Sequence, residues 1–164
     1  MQLTQVVTDR FSVVSRRRIA DVVAAVHKAI GHPNLALMQR EVTMARTYAE
    51  MEAIINKATG PTGLMEFMRL DMALYMAKGR AAKTPASYRL LVGNPLIMRR
   101  MAEHVPDAAS YAPVTILIDE REDGVHLSYD RMEGFLAPYL SVAASGVAAE
   151  LDRKVEAMLT AAAE

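Results

Sequence analysis

The sequence contains no cysteine and no tryptophan among its 164 residues. The lack of cysteine excludes disulfides, thiolate zinc sites and a cysteine nucleophile. The 19 basic and 19 acidic side chains cancel, which leaves no excess positive charge to attract nucleic acid or an anionic membrane. No run of about 18 apolar residues is present, and the opening MQLTQVVTDR lacks the apolar segment of a signal peptide. We therefore expect a cytoplasmic protein that binds neither nucleic acid nor a membrane.

Apolar residues nevertheless make up 52% of the chain and charged residues 23%, which is ordinary for a globular domain. The length predicts a single domain over 1–164, large enough to bury roughly 70% of its unfolded surface. Twelve methionines against three phenylalanines predict a core built from adaptable side chains.

The N-terminal third of the sequence predicts one strand and then helices. β-branched residues indicate a strand over Val6–Val14, and Ser15 is expected to cap the helix that follows. Apolar positions that recur with the helical period up to Ile30 predict this helix. A mostly helical segment is predicted over Asn34–Ala58, with an interruption around 42–43.

Three arginines, Arg16, Arg17 and Arg18, stand where this first helix is expected to begin. The helix macrodipole disfavours positive charge at that end. Acidic neighbours in the fold, carboxylates of a partner or a bound anion would each offset the charge. We expect pairing within the chain or plain solvation.

The segment after the Gly-Pro-Thr-Gly sequence at 60–63 is open to two interpretations. Methionines at 65, 68, 72 and 76 share one helical face, whereas alternate residues would share one face of a strand. We predict a strand over Leu64–Asp71 and a short helix to Lys78. We interpret the methionines as core packing, because a copper(I) site made of thioethers needs several converging sulfurs.

The next elements are a strand and a helix. A strand is predicted over Ser87–Val92. Asn94 as the cap and Pro95 as the first residue predict a helix to about His104. A loop is expected over Asp107–Ala112.

Two β-branched runs, Val114–Asp119 and Val125–Tyr129, indicate a β-hairpin with Gly124 at positive φ in its polar turn. An amphipathic helix follows, and its apolar stripe is expected to be buried. The stripe consists of Val147, Leu151, Val155, Met158 and Leu159. Together the elements predict an α+β, two-layer fold with a mostly antiparallel sheet of about five strands and helices mainly on one face.

Three pieces of the chain, in order, resemble the domain of unknown function 302 family. They are LVGNPLIM at 91–98, YAPVTILI at 111–118 and DGVHLSY at 123–129, and LDRKVE at 151–156 extends the likeness. The resemblance spans most of the chain and is clearest over 63–160. It implies a compact α+β fold with a curved antiparallel sheet, and a homodimer. It implies no catalytic residue.

Metal and cofactor sites are not expected. Some relatives carry a histidine where this chain has Met72, and others carry cysteines near Gly93 and Val114, so a metal or redox role built on those side chains does not transfer. The histidines offer no pair at the i, i+4 spacing of a helical metal site. They are His27, His32, His104 and His126. We therefore predict no metal and no cofactor.

The Gly-Asn-Pro turn at 93–95 leads from a predicted strand into a predicted helix. Its backbone N–H groups, with Arg99 and Arg100 nearby, would suit an anion. The alternative is a capped helix with a glycine that permits close packing. The candidate ligand-binding residues are Gly93, Asn94, Arg99 and Tyr111.

Polar groups on the hairpin are the weak candidates for catalysis. A carboxylate within reach of a histidine and a phenol would suit acid–base chemistry. The hairpin offers Asp119, His126 and Tyr129, with Glu120 next to Asp119. Because side chains alternate between the faces of a strand, these groups do not all point the same way. Exposed polar residues of a strand are the simpler interpretation.

Three functions remain open from the sequence. The leading one is a non-enzymatic module that binds a small hydrophobic or anionic ligand or another protein, as a homodimer. The second is an enzyme that uses Asp119, His126 or Tyr129 as acid or base on a small molecule. The third is a structural partner subunit.

Overall fold

The computed structural model describes residues 3–79 and 84–164. The predicted single domain over 1–164 includes 1–2 and 80–83, which lie outside the described residues. The elements follow one another as a strand, three helices, a strand and a short helix, and then a strand, two helices, a hairpin and two helices. They are β1 Arg10–Ser15, α1 Ile19–Ala29, α2 Leu35–Met44, α3 Tyr48–Ala58, β2 Met65–Asp71, α4 Ala73–Met76, β3 Ser87–Gly93, α5 Pro95–Ala102, α6 Ala108–Tyr111, β4 Val114–Arg121, β5 Gly124–Asp130, α7 Met132–Leu136 and α8 Val142–Ala163.

The five strands form one antiparallel sheet in the order β1-β5-β4-β3-β2. Leu90, Ile116 and Tyr129 are neighbours on one face, and all three are buried. Helices α1 and α8 contact the sheet, and their buried residues belong to the same core as these three side chains. The predicted α+β fold, an antiparallel sheet with helices mainly on one face, is confirmed.

Helix α8 carries much of this core. All five residues of the predicted apolar stripe are buried, so the prediction for this helix is confirmed. The helix ends against β1, where the Ser15 hydroxyl donates to the carbonyl of Ala163 at 2.6 Å and Arg17 Nη1 donates to that of Ala162 at 2.9 Å. These bonds satisfy two carbonyls that a helix end otherwise leaves without partners.

The start of the chain differs from the prediction. β1 begins at Arg10 rather than Val6, because β5, its partner, ends at Asp130 opposite Arg10. Ser15 does not cap α1: it pairs with Val125 as the last residue of β1. Long-range sheet pairing therefore overrides the local capping preference of serine.

Two of the three arginines at this junction, Arg17 and Arg18, have partners within the chain. Arg18 is the residue before α1 and its guanidinium forms an ion pair with Asp21 at 2.9 Å. Arg17 reaches the end of α8, as described above. These contacts confirm the expected intramolecular pairing for Arg17 and Arg18.

One helix boundary and one loop were predicted wrongly. The interruption expected at 42–43 lies at 45–47, where Thr47 caps α3 by accepting from the amide of Glu50 at 3.2 Å. The Glu50 carboxylate in turn accepts from the amide of Arg46 at 2.7 Å, which secures this helix start. The loop expected at 107–112 contains the short helix α6.

The hairpin between β4 and β5 is tighter than predicted. Only Glu122 and Asp123 separate the strands, because pairing continues to Arg121 and Gly124. Gly124 has a φ of +144°, which confirms the predicted positive φ. A Cβ at this position would lie 2.6 Å from the carbonyl oxygen of Ser15, so glycine is needed both for its backbone conformation and for the approach of β1.

Candidate functional site

An apolar cavity of about 690 Å³ lies between α2, α3, β2 and α5. Most of its walls are aliphatic, aromatic or thioether side chains. Prominent among them are Met38, Val42, Met51, Phe67, Leu96 and Met98. A volume of this size falls in the range of small-molecule pockets, roughly 300–1,000 Å³.

The cavity arises from how α2 and β2 are placed. Helix α2 packs on α3 and has no buried residue, so its apolar residues Leu35, Met38 and Val42 line the cavity instead of a core. On β2, the register shifts between Glu66 and Met68 and leaves Phe67 without a partner on β3. A β-bulge of this kind redirects a side chain, and that of Phe67 lines the cavity.

Charged groups meet the cavity where α5 borders solvent. Arg99 Nε lies 2.7 Å from Glu103 Oε1, and both side chains are about half exposed. The Arg99 guanidinium also lies 4.4 Å from the centre of the Tyr48 ring, which is the geometry of a cation–π contact. We call this end of the cavity, bounded by Arg99 and Glu103, the cavity mouth.

The predicted Gly-Asn-Pro turn adjoins the cavity through Pro95, which is one of its lining residues. Asn94 Oδ1 accepts from the amide of Leu96 at 2.8 Å, and Nδ2 donates to the carbonyl of Gly63 at 2.8 Å. A Cβ at Gly93 would lie 3.3 Å from Pro113 Cβ. These contacts favour the capped, closely packed turn over an anion site.

The other predicted ligand residues separate in space. Arg99 lines the cavity, whereas Arg100 on the same helix forms an ion pair with Glu150 at 3.0 Å. The Tyr111 hydroxyl lies 2.9 Å from that of Tyr139, and its ring stacks on Phe135 with centres 5.0 Å apart. Tyr111 is thus packed among aromatic side chains and does not line the cavity.

The hairpin candidates divide between the two faces of the sheet. Asp119 and His126 are cross-strand partners on the face away from α8. Each side chain has its own neighbour: Asp119 Oδ2 lies 2.8 Å from Arg121 Nε, and His126 Nε2 lies 2.7 Å from Asp123 Oδ1. The hydrogen bond with His126 lowers the pKa of Asp123. Tyr129 lies on the opposite face and is buried.

Tyr129 instead belongs to a buried network around Asp152, which the sequence interpretation missed. The fully buried Asp152 carboxylate accepts from the Tyr129 hydroxyl and from the backbone amides of Met132 at 2.7 Å and Glu133 at 3.0 Å. Arg131 Nε lies 3.6 Å from it. Burial, and then the nearby Asp152 charge, raise the pKa of Tyr129, so the phenol is held in its protonated, donating form.

A signal for Asp152 does exist in the sequence. It stands four residues after Ala148 and three before Val155, both of them buried on α8, so it shares their helical face. A carboxylate in an apolar stripe requires partners to be buried. The sequence does not say that Tyr129 and the start of α7 supply them.

Within 3–79 and 84–164, no group of three histidine, aspartate or glutamate side chains is placed to hold a metal ion. None of the helices in these two stretches is long and apolar enough to cross a membrane.

The rings of His27 and His32 stack with centres 3.6 Å apart, and His32 Nε2 lies 2.8 Å from the carbonyl oxygen of His27.

The sheet, its layer of helices and the lateral cavity define a two-layer α+β domain. The chain belongs to the family described as Domain of unknown function DUF302, whose model matches residues 39–162. This match confirms the resemblance noted in the sequence.

A solved structure has the same fold. It is the crystal structure of the uncharacterized conserved protein DUF302 from Bacillus stearothermophilus, with a TM-score of 0.64 and 9% sequence identity, over 94% of this chain and 98% of that chain. At this identity the likeness shows the fold alone. No curated protein matches the chain.

Proposed function

We propose that the protein is a non-enzymatic binding domain whose cavity takes a small, largely hydrophobic molecule. The observation that carries this proposal is the cavity itself, which combines a volume of about 690 Å³ with mostly apolar walls. Pockets that bind small molecules are typically of this size and apolar, with few polar groups.

The energetics of the walls support the same conclusion. Apolar surface left in contact with water forgoes about 25 cal/mol per Å² of stabilisation, so a ligand that covers the walls would stabilise the α2–α3 pair against α5. Met38, Met51 and Met98 all line the cavity. Methionine side chains are flexible and adapt to irregular shapes. These walls can therefore adjust to the shape of the ligand.

Ala102→Trp is expected to weaken binding of the neutral fluorescent probe N-phenyl-1-naphthylamine by about tenfold or more. The tryptophan side chain would take up space in the cavity, and overpacking of the probe against it costs about 1–3 kcal/mol. Ala102 lies on α5 and lines the cavity. Titration of the probe into the wild type and the variant measures the effect.

The matched control for this variant is Ala53→Trp. Ala53 is exposed on α3 and is not a lining residue, so this tryptophan should leave the probe affinity unchanged. Melting temperatures establish that both variants are folded. Absence of probe binding to the wild type, or equal binding to both variants, would contradict the proposal.

We also propose that the protein forms a homodimer through the sheet face opposite α1 and α8, which we call the open face. Its partly buried or exposed apolar residues include Val14, Met68, Leu91 and Leu117. Five strands spaced about 4.8 Å apart, six residues long at about 3.3 Å each, cover roughly 24 by 20 Å. Two such faces bury on the order of 1,000 Å², enough for a specific interface.

The central position of β4 in the sheet supports a two-fold symmetric interface on this face. A two-fold axis through the middle of β4 would set Leu117 against its own copy, so that the same residues are complementary to themselves. Leu117→Glu is therefore expected to convert the dimer to a monomer, because it replaces an apolar contact at the two-fold axis with two carboxylates of like charge. Sedimentation velocity gives the oligomeric state directly.

Thr160→Glu, an exposed position on α8, is the control for the added charge and should leave the dimer intact. Circular dichroism checks that the Leu117 variant keeps its fold. A monomeric wild type at micromolar concentration, or a Leu117→Glu variant that remains dimeric, would argue against the open face as the interface.

A further inference from the structure

We infer that the molecule bound in the cavity is an amphipathic carboxylate, with its hydrophobic part between α2 and α5 and its carboxylate on Arg99. This inference rests on the proposed function, since it names the chemical class of the ligand for the same cavity. It follows from three features of the site: where the charges lie, how Arg99 is held, and how Glu103 is held.

The two charges lie together, as an ion pair at the end of α5. Arg99 and Glu103 are the charged lining residues of the cavity within the described part of the chain, and their side chains are 46% and 51% exposed. The deeper walls are apolar and include Ile55 and Phe67. A ligand that matches this distribution has a hydrophobic body and a single polar end at the cavity mouth.

Arg99 is held by two independent contacts. Its guanidinium forms an ion pair with Glu103 at 2.7 Å and lies 4.4 Å from the centre of the Tyr48 ring. If Glu103 moved aside, the contact with Tyr48 would still keep the guanidinium at the mouth. A guanidinium fixed in this way can receive two oxygens of a carboxylate side by side.

Glu103 is held more weakly. Among the described residues, its carboxylate accepts from Arg99 alone, and an ion pair between two half-exposed side chains contributes little. An incoming carboxylate would therefore replace a weak partner and retain Arg99. A cation bound at Glu103 would lie beside the positive charge of Arg99, which the Tyr48 ring also holds in place, so the site favours an anionic head over a cationic one.

The experiment measures displacement of N-phenyl-1-naphthylamine from the full-length protein by dodecanoate, dodecanol and dodecyltrimethylammonium, each below its micelle concentration. Dodecanoate is expected to displace the probe at about tenfold lower concentration than dodecanol, since a hydrogen bond to a charged group contributes about this factor or more. The cationic compound should be the weakest.

Arg99→Met keeps an apolar stem of similar length and removes the charge. It is expected to abolish the roughly tenfold preference for dodecanoate over dodecanol, both measured on the same variant. Arg100→Met is the matched control on the same helix, because Arg100 pairs with Glu150 outside the cavity. Glu103→Gln should bind dodecanoate at least as tightly as the wild type, because the competing carboxylate is gone.

The outcomes separate this inference from the proposed function. If the wild type binds the probe but does not prefer dodecanoate, or if Arg99→Met retains the preference, the ligand class is wrong and the cavity remains a binding site. If the wild type does not bind the probe, both proposals are wrong. Should Arg99→Met fail to fold, the ranking of the three compounds on the wild type and on Glu103→Gln decides the question.

Discussion

Asp152→Ala is expected to lower the free energy of unfolding by about 3–5 kcal/mol, the cost of removing one partner from a buried charged network. The carboxylate is fully buried and accepts from the Tyr129 hydroxyl and from the amides of Met132 and Glu133. Alanine would leave the Tyr129 hydroxyl and the Glu133 amide without this acceptor, and the Met132 amide with the Tyr129 hydroxyl alone at 3.2 Å. Arg131 would lose the charge that lies 3.6 Å away and keep its ion pairs with Glu133 and Glu156. Urea denaturation followed by circular dichroism measures the loss.

Asp123→Ala is the matched control for this loss. Asp123 also pairs with a side chain, His126, but its own side chain is 68% exposed, so its removal should change stability little. Asp152→Asn keeps one acceptor oxygen and should fall between the two. A loss for Asp152→Ala as small as that for Asp123→Ala would show that the network contributes little.

Leu159→Ala is expected to destabilise the protein by about 2–5 kcal/mol, through lost apolar burial and the space left in the core. Leu159 is fully buried on α8 within the main core cluster. Its neighbour Thr160 is exposed, so Thr160→Ala should have little effect and serves as the control. The same urea titration provides the comparison, and a small loss at Leu159 would mean that the end of α8 is peripheral to the core.

Helix α8 was predictable because its pattern is long and its environment is uniform. Leu151, Val155 and Leu159 recur at four-residue spacing, and one continuous core receives all three. The hairpin was predictable for a similar reason, since β-branched runs and Gly124 specify it locally. Local pattern and tertiary environment agree in both elements.

Other parts of the fold depend on interactions that the local sequence does not contain. Ser15 has the chemistry of a helix cap, yet its pairing with Val125 on β5 places it in a strand. The start of α3 is different, because Thr47 and Glu50 form a recognisable capping pattern. This pattern is present in the sequence and marks the interruption at 45–47.

The candidate site divides in the same way. Arg99 was predicted from its closeness in sequence to the Gly-Asn-Pro turn, and it lies at the cavity mouth. The cavity itself depends on how the α2–α3 pair stands beside α5 and on the bulge that redirects Phe67. Tyr129 and Asp152 come from different elements, so only the tertiary fold joins them.

The absence of buried residues on α2 has a consequence for how such a domain can diversify. Stability resides mainly in the sheet and α8, whereas Leu35, Met38 and Val42 shape the cavity without supporting the core. Substitutions at these three positions can alter which molecule fits while the rest of the domain stays folded. Helix α2 is therefore the part of the chain where new specificity could be selected, or designed, at the least expense to folding.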